Sequence, residues 1–121
     1  MKLTLSQWAI LFPSIKQAAV KQAVQQNLNQ WGEDFPKWAN DNLHIIDHLM
    51  AEVARVREAG FDHYSMRTLV EVTRHHTSLR QRDVTFKIQN NVTPDLARLA
   101  IILFPELEGF FDLRQRRSVA A

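Results

Sequence analysis

The sequence predicts an all-α protein: a single helical domain, mainly a bundle of five to six helices, with one short β-strand near residues 84–88. Two observations predict this fold class. Apolar residues recur at helical spacing along most of the chain, and all three Gly and all four Pro fall where element boundaries are expected. A chain of 121 residues with 45% hydrophobic content suits one domain with a core of its own.

The first two helices are expected close to the N-terminus. Ser6 can cap a short helix that ends near Phe12, and Ser14 can cap a longer one over residues 15–30. Gly32 follows the second helix as its stop signal. This longer helix is amphipathic, so it should pack one side against the rest of the domain.

The next helix has two possible starting points. Asp34 with Pro36 near the first turn can open it, or Asn40 can open it slightly later. Its apolar positions form a wide face typical of a helix that packs on a core. Gly60 stands where a left-handed cap is expected after the last turn.

Ser65 is expected to cap a helix that runs from about Met66 to Leu79 or Arg80. The spacing divides its residues into two faces. The face expected to be buried carries Met66, Leu69, Val72, His76 and Leu79. The opposite, polar face carries Arg67, Glu71, Arg74, His75, Ser78 and Arg82.

Residues 84–88 alternate between apolar and polar side chains, which is the period of a strand. A sharp helix start follows, with Thr93 as the N-cap, Pro94 at the first helical position and Asp95 favoured by the helix dipole. This helix is apolar on most sides, so we expect it to lie centrally or against a partner. A short last helix begins again at Pro105.

A single strand must satisfy its backbone hydrogen bonds elsewhere. Residues 84–88 can pair with residues 3–5 of the same chain, with a second copy of the chain, or with no other strand. The second possibility predicts a homodimer. A dimer would also cover surplus apolar surface on the helix that follows the strand.

Composition excludes several classes of function. The chain has no Cys, which excludes disulfides, a thiol nucleophile and cysteine-ligated metal, and fits a cytoplasmic protein. No apolar run is long enough to cross a bilayer, so no membrane partner is expected. No phosphate-binding loop, nucleophile elbow or paired carboxylates stand in a recognisable context. We therefore expect no enzymatic activity and no cofactor.

Basic residues suggest nucleic-acid binding, with DNA favoured over RNA. Between residues 67 and 98 the chain has six Lys and Arg against three Asp and Glu. Such an excess supplies the salt-dependent, sequence-independent part of binding to phosphates. The expected contacts come from Arg67, Arg74, His75, Arg80, Arg82, Thr85, Lys87, Gln89 and Arg98. The structural alternative is a solvated helix face on which Glu71 pairs with Arg74 or His75.

The stretch over residues 84–100 resembles the strand and first helix of ribbon-helix-helix repressors. In that family two chains pair their strands into an antiparallel ribbon that enters the DNA major groove. The resemblance implies that Thr85, Lys87 and Gln89 read base edges. It also implies that the alternate residues of the strand, Val84, Phe86 and Ile88, lie in the dimer core.

A second function class is protein binding. The chain would then be a non-catalytic adaptor or inhibitor that uses its arginines to dock on an acidic surface of a partner. Trp8, Trp31 and Trp38 can contribute to such an interface, or they can simply fill the core.

A metal site is a weaker possibility. His44 and His48 are four residues apart, near the spacing of an inverted zincin motif. No third ligand is evident nearby. The alternative, which we favour, is that Asp41 and Asp47 partner two surface histidines, so no metal ligand is assigned.

Overall fold

The computed structural model describes residues 3–80 and 92–111, and every regular element within them is helical. The α-helices are α1 (Leu5–Ile10), α2 (Pro13–Gln26), α3 (Phe35–Asp41), α4 (Leu43–Glu58), α5 (Met66–Arg80) and α6 (Thr93–Leu103). Short 3₁₀ turns follow α2 at Leu28–Gln30 and α6 at Pro105–Leu107. The all-α prediction of five to six helices is confirmed. The strand predicted near residues 84–88 lies outside the described residues.

Helices α4 and α6 form the centre of the bundle. Helix α4 contacts α1, α2, α3 and α5, whereas α6 packs between α2 and α5. The apolar side of α4 is completely buried at Ile46, Leu49, Met50 and Val53. Helix α6 is buried along most of its length, as its apolar composition predicts. The described chain therefore has one continuous core.

The start of α1 differs from the prediction by two residues. Thr4, not Ser6, is the N-cap, because its hydroxyl accepts a hydrogen bond from the Gln7 backbone while the Gln7 side chain bonds back to the Thr4 N–H. This reciprocal pair satisfies two helix-end donors at once. The Leu5 N–H donates to Glu106 Oε1 at 2.6 Å, which fixes α1 to the turn after α6.

Helix α2 was predicted to begin after Ser14 and to reach residue 30, and both ends are different. Pro13 is its first residue, since the fixed φ of proline suits that position. The helix ends at Gln26, where the Asn27 side chain donates to the Ala23 carbonyl at 2.8 Å and competes with continued helical bonding. Leu28 consequently lies on the exposed 3₁₀ turn instead of the core.

The predicted helix is divided into two, and only one of its two predicted starts is observed, because Asn40 lies inside α3. Helix α3 begins next to Asp34 with Pro36 in its first turn, and α4 begins after a break at Asn42. The Asn42 amide donates to the Trp38 carbonyl at 2.8 Å, which closes α3. Gly60 then has φ +98°, as the predicted left-handed cap requires.

The bounds of α5 match the prediction, but its buried face is rotated. Val70 and Thr73 are buried and Val72 is only half-buried. The Ser65 hydroxyl accepts from the Thr68 N–H at 3.4 Å at the start of the helix. The predicted burial of His76 and Leu79 concerns side chains outside the described set.

The start of α6 also departs from the prediction. Thr93 is the first helical residue and Val92 precedes it as the cap, without a side-chain hydrogen bond. Asp95 was expected to act through the helix dipole, but its side chain is completely buried. The buried carboxylate instead pairs with Arg98, whose Nη1 is 3.3 Å away.

Trp8 and Trp31 lie in the core, and Trp38 packs partly against it. The Trp8 ring meets Phe104 edge-on with ring centroids 5.3 Å apart. The Trp31 indole N–H donates to the Val24 carbonyl at 3.0 Å, so its polar atom is satisfied inside the protein. Trp8 and Trp31 therefore fill the core, which is one of the two predicted roles, whereas part of the Trp38 side chain stays exposed.

Candidate nucleic-acid interface

Helix α5 carries the described part of the predicted basic face. Arg67, Glu71 and His75 are exposed, and Arg74 is half-buried. Residues 67, 71, 74 and 75 share one side of a helix because each is three or four positions from a neighbour in the set. The sequence therefore places these side chains together correctly, on the side of α5 away from the core.

One cation on this face, Arg74, is already paired with a carboxylate. Arg74 Nη1 donates to Glu71 Oε1 at 3.3 Å, an ion pair across one helical turn. This contact is the pairing that the structural alternative predicted. Exposed pairs of this kind are weak, usually below about 1 kcal/mol, so the guanidinium can exchange its carboxylate for a phosphate.

Arg98 lies on α6 and not on the exposed face of α5. Its Nη1 is 3.3 Å from Asp95 Oδ1, and only 15% of its side chain is exposed. The other oxygen of Asp95, Oδ2, accepts the Gly32 N–H at 3.1 Å. Arg98 thus balances a buried carboxylate that ties the start of α6 to the segment after α2. The prediction that Arg98 contacts phosphate does not fit this position.

The remaining predicted contacts follow α5 along the chain. Arg80 is the last residue of the helix, whereas Arg82, Thr85, Lys87 and Gln89 lie outside the described residues. One proposed partner for the strand is excluded, because Leu5 is helical and the Leu3 N–H donates to the Leu103 carbonyl at 3.0 Å. Residues 3–5 are therefore not an edge strand.

The charge of the chain is divided unevenly. Residues 3–80 and 92–111 together contain nine Lys and Arg against eleven Asp and Glu. The net positive charge therefore comes from Lys2, residues 81–91 and residues 112–121. Arg114, Arg116 and Arg117 in the last of these were not among the predicted contacts, although three arginines within four positions were a visible signal.

Comparisons were made with protein-family models, with curated proteins and with solved structures. None of the three found a match. No helix in the described part of the chain is long and apolar enough to cross a membrane.

In the described part of the chain, neither histidine of the possible metal motif pairs with an aspartate. His44 and His48 are exposed, and the aspartates expected beside them pair with lysines instead: Asp41 with Lys37 and Asp47 with Lys16, each at 3.1 Å. The expected Asp–His partnership was wrong, because a lysine one turn away and a lysine from α2 reach these carboxylates. Within the described ranges, no group of three metal-binding side chains occurs.

Exposed apolar residues mark a different part of the surface. Ile10 is 83% exposed and Phe12 is 73% exposed, and Ile15 on the first turn of α2 is also exposed. We call these three residues the apolar corner, since they lie at the junction of α1 and α2. Ile15 is four residues before the buried Ala19, and this helical spacing predicts a position on the core side, but Ile15 is 40% exposed.

Proposed function

We propose that the protein binds nucleic acid without catalysis, with phosphate contacts from the exposed face of α5 and the basic segment that follows it. The supporting observation is the position of Arg67 and His75 on the exposed face of a helix that ends at Arg80 and is followed in sequence by Arg82 and Lys87. A surface of this kind attracts a polyanion through charge alone. Thr85 and Gln89 are proposed as base contacts in the same segment.

Arg67 is the best test of this proposal because its side chain is exposed. Fluorescence anisotropy with labelled random duplex DNA measures the dissociation constant over a series of salt concentrations. Each lost phosphate contact should reduce the slope of log K against log salt by about 0.9. Arg67→Ala should therefore bind more weakly and show the shallower slope.

Lys37→Ala is the matched control. It also removes one exposed cation, but from α3, where Lys37 pairs with Asp41. A general effect of net charge would weaken both variants equally. Equal affinities and slopes for the two variants would contradict a contact at α5, even if both proteins bound DNA.

A second candidate is supported by the apolar corner. We propose under this alternative that it docks on a partner protein whose apolar surface is bordered by acidic residues. Large exposed apolar side chains in one patch are typical of interfaces. Residues 3–32 contain no Asp or Glu, so an acidic border would meet no like charge in this segment.

A photocrosslinking residue placed at position 12 tests this alternative. Phe12 is exposed, so the replacement should leave the fold intact. Crosslinks to a protein with an acidic surface from position 12, and none from position 37, would support docking at the corner. The same crosslinked protein from both positions would indicate random encounter and would contradict the alternative.

A further inference from the structure

The loop between α4 and α5, residues 59–65, carries an exposed aromatic ring just before the proposed phosphate-binding helix. Phe61 is 49% exposed. It stands six residues before Arg67, which is on the first turn of α5. Six residues of chain span at most about 22 Å. A short stretch of nucleic acid can therefore contact both the ring and this guanidinium.

Contacts with three other residues hold the loop in place. Arg57 Nη1 donates to the Phe61 carbonyl at 3.1 Å, and the Phe61 ring meets Tyr64 edge-on with ring centroids 5.3 Å apart. The Tyr64 N–H in turn donates to the Phe110 carbonyl at 3.0 Å. The exposed ring is thus positioned before any ligand arrives, which reduces the ordering cost of binding.

The loop and the helix differ in charge. Residues 57–67 contain two Arg and two acidic residues, and Arg57 Nη1 lies 3.5 Å from Asp62 Oδ1. The surface around Phe61 is therefore close to neutral, whereas α5 and the segment after it supply the cations. Proteins that bind single strands combine aromatic rings, on which bases stack, with a positive surface along the backbone.

We propose that the protein prefers single-stranded nucleic acid, with one unpaired base stacked on the Phe61 ring and the adjoining phosphates on the exposed face of α5. This inference rests on the proposed nucleic-acid binding and adds the class of nucleic acid. A base inside a duplex is stacked between its neighbours, so the ring can contact only an unpaired base. Duplex DNA keeps the phosphate contacts alone.

Fluorescence anisotropy tests the stacking contact with two labelled probes, an oligothymidine of about 15 nucleotides and a blunt duplex of the same length. Phe61→Ala should bind the single strand about five- to tenfold more weakly, the lower end for aromatic–base stacking, because half of the ring is already covered. Its affinity for the duplex should not change. The salt slopes for both probes should not change either, since no charge is removed.

Three further variants control for packing and for loss of an aromatic ring in general. Phe61→Leu keeps an apolar side chain but loses the flat ring, so it should bind the single strand as weakly as Phe61→Ala. Phe61→Trp keeps a flat ring and should retain the affinity of the unaltered protein. Phe12→Ala removes an exposed ring from the junction of α1 and α2 and should leave both affinities unchanged.

The outcomes separate this proposal from the one on which it rests. An unchanged affinity of Phe61→Ala for the single strand, or an equal loss for both probes, would overturn stacking on Phe61 and leave the Arg67 test intact. Equal affinities of Phe61→Leu and Phe61→Trp for the single strand would overturn it as well. Absence of binding to both probes at low salt would overturn nucleic-acid binding itself, and the stacking contact with it.

Discussion

Replacing Asp95 with alanine should destabilise the protein more than any surface change. The carboxylate is completely buried, and it contacts Arg98 at 3.3 Å and the Gly32 N–H at 3.1 Å. Removing one member of a buried ion pair usually costs about 3–5 kcal/mol. Arg98 keeps 15% of its side chain exposed and can partly reach water, which favours the lower end of that range. The loss of an acceptor for Gly32 adds about 1 kcal/mol.

We therefore expect Asp95→Ala to lower the free energy of unfolding by about 3–4 kcal/mol. Domains of ordinary stability have only about 5–15 kcal/mol in total. Urea denaturation followed by tryptophan fluorescence measures the change, because Trp8 and Trp31 are buried in the native state. The slope of the unfolding free energy against urea concentration should stay the same if both proteins expose similar surface.

Asp95→Asn is the control that separates charge from shape. It keeps a side-chain oxygen that can accept the Gly32 N–H but removes the negative charge next to Arg98. Its cost should be smaller, about 1.5–3 kcal/mol, which is the range for a hydrogen bond to a charged group. A loss below about 1 kcal/mol for Asp95→Ala would refute the conclusion that this carboxylate joins α6 to the segment after α2.

Three further predictions concern the surface and the helix ends. Glu71→Gln should strengthen DNA binding in the anisotropy assay, because it releases Arg74 from its carboxylate. The control Glu58→Gln, on α4, should strengthen DNA binding less. The reverse order of the two affinities would contradict the role of α5. Thr4→Ala should lower the free energy of unfolding by about 1 kcal/mol in urea denaturation, and an unchanged value would show that the cap contributes nothing. Phe12→Ala should change that free energy by less than about 0.5 kcal/mol, since the ring is exposed and alanine adds no helix cap, and a larger loss would mean that the ring packs inside.

The helices that the sequence predicted best are those with strong local signals. The apolar spacing of α4 and α5, with Gly60 between them, was sufficient for the existence of both helices, the end of α4 and the bounds of α5, but not for the break at Asn42 that separates α3 from α4. Cap assignments at Ser6, Ser14 and Thr93 were wrong by one or two residues. Several neighbouring residues can cap a helix equally well in sequence terms, and the choice depends on backbone angles set by packing.

The candidate site also has a part that the sequence predicts and a part that it does not. The exposed side of α5 follows from helical periodicity, so Arg67, Arg74 and His75 could be grouped from the sequence. The role of Arg98 could not be predicted, because it depends on burial of Asp95 and on a contact with Gly32, which is distant in the chain.

The most direct test of the central proposal is the salt dependence of DNA binding by the unaltered protein. Arg67, Arg80, Arg82 and Lys87 would provide about four phosphate contacts, which corresponds to a slope of log K against log salt of about −3 to −4. Micromolar binding to random duplex DNA at low salt with that slope is the predicted result. No binding at low salt, or a slope close to zero, would contradict nucleic-acid binding by α5 and its following segment.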